Sequence, residues 1–196
     1  TQFPQQVLDA ITGYLVNDNA NEYGNFTASY KARQVEDAAR EAAADFLGCD
    51  PEEIGFNCAS TQNCYNLAIN LSKTFKPGDE LIITEIDHQC NIAPWESLQR
   101  MGCVVKTVKL DTKTQQLDFE DFKSKLSDKT KVVAVNWASN GLGTITDVKK
   151  FIDEAHKYGA LTVIDAVHYA AHLPIDVKAI GTDALLCSSY KWFGPH

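Results

Sequence analysis

What is missing from this sequence narrows its class first. None of its six cysteines, Cys49, Cys58, Cys64, Cys90, Cys103 and Cys187, forms a CxxC pair. Several fall in apolar segments, so they read as buried or half-buried free thiols of a reducing compartment rather than a disulfide framework. Their spacing fits no zinc pattern, and no metal site is expected. No basic cluster stands out, and the formal net charge is −8 with a pI of about 5.0. Nucleic acid and anionic membranes are therefore poor partners. The longest apolar stretches are strand-sized, too short for a bilayer-spanning helix. Neither a GxGxxG turn nor a P-loop occurs, which removes the common nucleotide-binding motifs. No secretory leader is visible at Thr1-Gln2, and a cytoplasmic location is the expectation.

What is present is enough for one domain with a sizeable core, since 44% of the 196 residues are hydrophobic. Helical and strand patterns alternate along the chain. Residues 4–16 are amphipathic, with Val7, Leu8, Ile11 and Leu15 on one face. Residues 30–47 predict a long helix stopped by Gly48, and further helices are expected over 60–73, 91–101, 118–126 and 147–158. Strands are expected over 54–57, 80–84, 103–108, 131–136, 161–165 and 183–187. Continuous apolar strands separated by helices predict an α/β fold, three layers α/β/α around a mostly parallel sheet. In such a sheet the chemistry collects at the carboxyl ends of the strands.

The polar clusters fall at those ends. Lys191 sits in Ser188-Ser189-Tyr190-Lys191-Trp192, after the run Ala184-Leu185-Leu186-Cys187. Asp165 ends Leu161-Thr162-Val163-Ile164. A lysine can form a Schiff base with an aldehyde cofactor, and a buried aspartate can hold a pyridinium nitrogen protonated. That pairing is what pyridoxal 5'-phosphate (PLP) demands. Each member also has a plainer use. Lys191 can snorkel. Asp165 can cap a helix or pair with an internal cation, and His168 can be a satisfied core histidine. Ser60, Thr61 and Gln62 precede a helix, where backbone amides bind phosphate, although Ser60 equally suits an N-cap. His88 follows a strand, where it can stack on a ring and move protons or lie on the surface. Asn140 can donate to a phenolic oxygen or simply form a turn with Gly141. Ser188, Ser189 and Tyr190 offer hydroxyls for a phosphate.

Taken together, these segments resemble the class V aminotransferases, the fold-type-I PLP enzymes that include cysteine desulfurases and selenocysteine lyases. The resemblance rests on Asp87-His88-Gln89-Cys90-Asn91-Ile92-Ala93-Pro94-Trp95, Ser139-Asn140-Gly141-Leu142-Gly143-Thr144, Val163-Ile164-Asp165-Ala166-Val167-His168, and Ser188-Ser189-Tyr190-Lys191 with Gly194-Pro195. It implies a PLP-dependent transferase large domain over 1–196, incomplete and without the family's C-terminal small domain. It further implies an open gap in the sheet where a later strand inserts.

By position, the resemblance makes Lys191 the Schiff-base and proton-shuttling residue and His88 its catalytic partner. Asp165 would bind the pyridine nitrogen, Asn140 and His168 the phenolic oxygen, and Thr61, Gln62, Ser188 and Tyr190 the phosphate. The implied reaction is C–S cleavage of an amino acid, as in a cysteine desulfurase, by a homodimer that hands sulfur to an acceptor protein. Another class V lyase or aminotransferase, or a PLP-binding fragment without turnover, are the alternatives. The sequence departs from the family at Tyr190, His168 and Thr61-Gln62, where His, Gln and Thr-Thr are usual. No cysteine takes the position of the family's mobile nucleophile.

Overall fold

The structure, a computed structural model, describes residues 2–195 and leaves out only the two ends of the expected 1–196 domain. The chain forms two compact units. The larger comprises Asn57–Leu173 and Val177–Ser188, and the other comprises Thr1–Phe56, Pro174–Asp176 and Ser189–His196.

The larger unit is built on the apolar runs. Glu80–Thr84 (β1), Val104–Val108 (β2), Thr130–Asn136, Leu161–Asp165 and Ala184–Leu186 form one sheet. A two-residue hairpin, Leu110–Asp111 (β3) and Gln116–Leu117 (β4), precedes the last three, which are therefore β5, β6 and β7. The sheet order is β2-β1-β5-β6-β7, and every pairing within it is parallel. The expected gap does not interrupt these five strands, and β7 is an edge among the described residues.

Alternate residues point to opposite faces of each strand, and here both faces are apolar. Leu81 and Ile83 of β1, Val132 and Ala134 of β5, and Val163 of β6 join one core cluster with Trp95. Trp95 lies on Gln89–Glu96 and Ala68 on Ser60–Ser72, helices that pack against each other. Intervening strand residues such as Ile82, Val133 and Ile164 are also buried. Phe122 of the helix Phe119–Lys125 and Phe151 of the helix Val148–His156 meet with ring centroids 4.7 Å apart and planes tilted by 42°, and Val148–His156 packs on β5 and β6. Burying each such side chain contributes roughly 1.5–3 kcal/mol. The fold is α/β with helices on a parallel sheet, as expected. The short hairpin was not legible in the sequence, because two residues per strand show no alternation. It is organised locally by Asp111, whose carboxylate accepts from the Lys113 amide and the Thr114 hydroxyl.

The other unit holds Gln5–Gly13 (α1) and Thr27–Leu47 (α2). The larger unit's helices Ser60–Ser72, Gln89–Glu96, Phe119–Lys125, Val148–His156 and Val177–Ile180 are then α3 to α7. Helix α2 ends as predicted at Gly48, whose φ of 71° is left-handed. A Cβ there would also come within 2.9 Å of the Asp176 backbone, so both conformation and space call for glycine. No residue of α1 is fully buried, and Leu8 and Leu15 on its expected apolar face are exposed.

The predicted strand over 54–57 is not formed. Ile54 is extended, with φ −85° and ψ 123°, and buried. Its groups are satisfied elsewhere: its N–H donates to the Pro51 carbonyl, and its own carbonyl accepts from the Arg40 guanidinium. An extended segment becomes a strand only when a neighbour takes those groups.

Candidate active site

Parallel register brings the ends of three strands side by side. Asn136 of β5 pairs with Asp165 of β6, and Asp165 pairs with Leu186 of β7. Asp165 is 6% exposed. Its Oδ1 accepts from the Val167 amide at 2.9 Å, and its Oδ2 accepts from the Cys90 thiol at 3.5 Å. Burial holds the Asp165 pKa above the usual carboxylate range, while these two donors and the nearby His88 and His168 pull the other way. Among the described residues neither carboxylate oxygen is bonded to a lysine or arginine. An acid buried in this way favours a cationic partner.

The turn after β1 supplies the next group. The Ile86 carbonyl accepts from Asn136 Nδ2 and Ser139 Oγ, both at 3.4 Å, so β5 anchors this turn. Asp87 Oδ2 accepts from Thr84 Oγ1 and Asn91 Nδ2, each at 3.2 Å, whereas its Oδ1 is buried with no hydrogen-bond partner among the described residues. Burial, and then the charge of Asp165, push the Asp87 pKa up to about 8. Asn91 Oδ1 in turn accepts from the Trp95 indole at 3.4 Å and the Cys64 thiol at 3.6 Å.

His88 is the N-cap of α4, and its Nδ1 accepts from the Cys90 amide at 3.1 Å. An imidazole nitrogen that accepts is unprotonated, so in the neutral ring the proton is on Nε2. The ring is otherwise exposed.

The N-terminus of α3 forms a third corner. Ala59, not Ser60, is the N-cap and offers no side-chain cap; Ser60 is the first helical residue and its amide donates to Ser188 Oγ at 3.3 Å. Ser188 thereby ties the segment after β7 to this helix. The amides of Thr61 and Gln62 have no protein acceptor among the described residues. They are two of the orphan donors that make helix starts attractive to anions. The Gln62 side chain donates along the helix to Asn66 at 2.9 Å.

His168 is half-buried after β6, at the start of the short turn Tyr169–Ala171. Next to it, Tyr169 stacks on Trp137 at 3.9 Å with a 12° interplanar angle. That stack joins the segments following β5 and β6. Asn140 is exposed in the turn after Ser139. The larger unit thus contains Thr61, Gln62, His88, Asn140, Asp165, His168 and Ser188. Tyr190 and Lys191 belong to the other unit, on the turn Ser189–Trp192, where the Lys191 ammonium lies 5.0 Å from the Tyr190 ring centroid.

A model of the family described as Aminotransferase class-V matches residues 1–196. The chain belongs to this family. Among similar class-V relatives, an aminotransferase-like protein, FGM3, of Gibberella zeae is 39% identical over 194 residues, covering 96% of this chain and 47% of that protein. A cysteine desulfurase of Synechococcus elongatus is 35% identical over 204 residues, covering 100% of this chain and 32% of that protein. The structure of an apo cysteine desulfurase from Thermococcus onnurineus NA1 superposes with a TM-score of 0.93 at 30% identity, covering 100% of this chain and 49% of that one. The class-V chain therefore spans about half or less of the length of these relatives.

Three contributors were given no role from the sequence. Asp87 was legible only as part of a motif, although a carboxylate just beyond an apolar strand is the same signal that marks Asp165. Asn136 was read merely as the last residue of a strand. Cys90 lies close to the site in sequence, but nothing local shows that its sulfur meets a carboxylate 75 residues away. Among the described residues no cluster of His, Cys, Asp and Glu suits a metal, and no helix is long and apolar enough to cross a membrane.

Proposed function

We propose that the protein carrying this chain is a PLP-dependent enzyme acting on an amino acid, and that its reaction is C–S cleavage of cysteine, as in a desulfurase. The observation that carries the reading is Asp165, a strand-end carboxylate that is buried, held by two neutral donors and, among the described residues, without a lysine or arginine bonded to either oxygen. Two further features fit the cofactor. The free amides of Thr61 and Gln62 suit a phosphate; Asn140 follows β5, which pairs with the strand of the aspartate, and His168 follows that strand itself. The similarity to proteins named cysteine desulfurase supports the choice of substrate.

PLP, when bound, supplies an electron sink for charge that develops at the substrate's α-carbon. Asp165 would hold the ring nitrogen in its protonated form. The α3 amides, with the Thr61, Ser188 and Tyr190 hydroxyls and the Gln62 amide, would hold the phosphate. Asn140 and His168 would orient the phenolic oxygen. Lys191 Nζ would anchor the cofactor and move the α proton, and His88 would use Nε2 in proton transfer beside the ring. The Cys64, Cys90 and Cys187 thiols are poor nucleophiles, because burial raises the pKa of each. The sulfur-accepting thiol of the reaction is accordingly assigned to none of these three.

The remaining parts of the reading are a large PLP-binding domain over 1–196, a homodimer, a sulfur-acceptor protein and a cytoplasmic location. Transamination is the alternative outcome, favoured by the aminotransferase-like relative. The decisive experiment uses the whole protein. It should be yellow, borohydride should fix the cofactor on Lys191, and cysteine should yield sulfide. A label mapped to another lysine refutes the Lys191 assignment. Conversion of a keto acid without sulfide selects the aminotransferase.

A further inference from the structure

We propose that Cys90 is a positioning residue for the cofactor, its thiol donating to Asp165 Oδ2 and fixing the carboxylate that meets the ring nitrogen. The inference rests on the PLP reading above and goes beyond it.

The geometry isolates this role. Asp165 is clamped at both oxygens, by the Val167 amide on Oδ1 at 2.9 Å and by the Cys90 thiol on Oδ2 at 3.5 Å. The amide belongs to the same turn as the carboxylate and moves with it. The thiol comes from α4, across the strand ends, and is a side-chain donor to this carboxylate. A carboxylate oxygen accepts more than one hydrogen bond, so the clamp leaves lone pairs for a ring N–H.

The position of Cys90 is itself fixed. Its amide is held by His88 Nδ1 at 3.1 Å, and the residue is 6% exposed. Cys90 thus links the cap residue His88 to Asp165. Burial and the adjacent Asp165 charge push the Cys90 pKa up to about 12, so the sulfur keeps its proton and remains a donor. The same features make it a poor nucleophile, which separates this role from sulfur transfer.

The experiment compares wild type with Cys90→Val, close in volume but without a donor, and Cys90→Ser, which keeps one. PLP affinity is measured by titrating the apo form, and the visible absorbance band of the bound cofactor is recorded. That band responds to charge at the ring nitrogen, which a purely packing role leaves unchanged. Cys90→Val should bind PLP about two- to tenfold more weakly, the span of one net hydrogen bond, with an altered band. Cys90→Ser should recover most of the affinity and the wild-type band. If Cys90→Val matches wild type, or if Cys90→Ser is as impaired as Cys90→Val, the positioning role is overturned while the PLP reading stands. A wild-type protein that binds no PLP removes both.

Discussion

Asp87 and Asp165 are both aspartates at the carboxyl end of a parallel strand, and they are held in opposite ways. Asp165 has a donor on each oxygen. Asp87 has two donors on Oδ2 and, among the described residues, none bonded to Oδ1. Burial raises the pKa of both, and the charge of Asp165 raises that of Asp87 further. Two negative charges so placed repel, and the charge of Asp165 favours the protonated form of Asp87. Strand-end position alone does not distinguish these two carboxylates; the donors around each do.

The largest expected effect breaks the clamped member. Asp165→Ala should lose most turnover and bind PLP about ten- to a hundredfold more weakly, the span of a charge-assisted hydrogen bond. Cofactor titration together with a sulfide assay reads both. Near-normal turnover would remove Asp165 from the site.

His88 lies between the two acids in function, since it caps the helix that carries Cys90. His88→Ala should slow turnover by about a hundredfold if the ring moves protons, and should also cost about 1 kcal/mol of stability through the lost cap. His88→Asn sharpens the test, because asparagine caps well but moves no proton near neutrality. Its stability should return to wild type while its rate stays low. A normal rate in His88→Asn would reduce the histidine to a cap.

Asp87 should show itself in stability against pH. Its folded pKa of about 8 lies above the ordinary 3.8, so the folded state holds a proton that the unfolded chain releases. The associated stability is full below the unfolded value and drains as pH rises through about 8. Asp87→Asn, a mimic of the protonated acid, should flatten that decline in denaturant midpoints recorded on either side of this pH. An unchanged slope would mean that Asp87 is already ionised at neutral pH.

The smallest effect belongs to the link between β7 and α3. Ser188→Ala leaves the Ser60 amide without its acceptor and should cost about 0.5–1.5 kcal/mol, visible as a lower thermal midpoint, with a modest rise in the PLP dissociation constant. A change in PLP binding as large as that of Asp165→Ala would assign Ser188 a larger part in holding the phosphate.

Local pattern alone made much of this legible. The apolar runs ending in Thr84, Asn136, Asp165 and Leu186 marked the strands, and the helices between them required parallel pairing. Strand-end polarity then pointed to His88, Asp165 and Ser188. Where local pattern failed, a distant group had taken over. Residues 54–57 have strand-like composition, yet Arg40 claims the Ile54 carbonyl. Ser60 looks like a cap, yet its amide is satisfied by Ser188, 128 residues away.

The sequence by itself determined the parallel α/β architecture and pointed to the neighbourhood of the candidate site, because periodicity and the ends of apolar runs are properties of short segments. Only the tertiary structure decided which polar groups act on one another. Sheet register set Asn136, Asp165 and Leu186 abreast, and packing brought the Cys90 sulfur to the Asp165 carboxylate. Hydrogen bonding and desolvation depend on distance through space, and the charge and orientation of a buried acid are set by whichever donors the fold delivers to it.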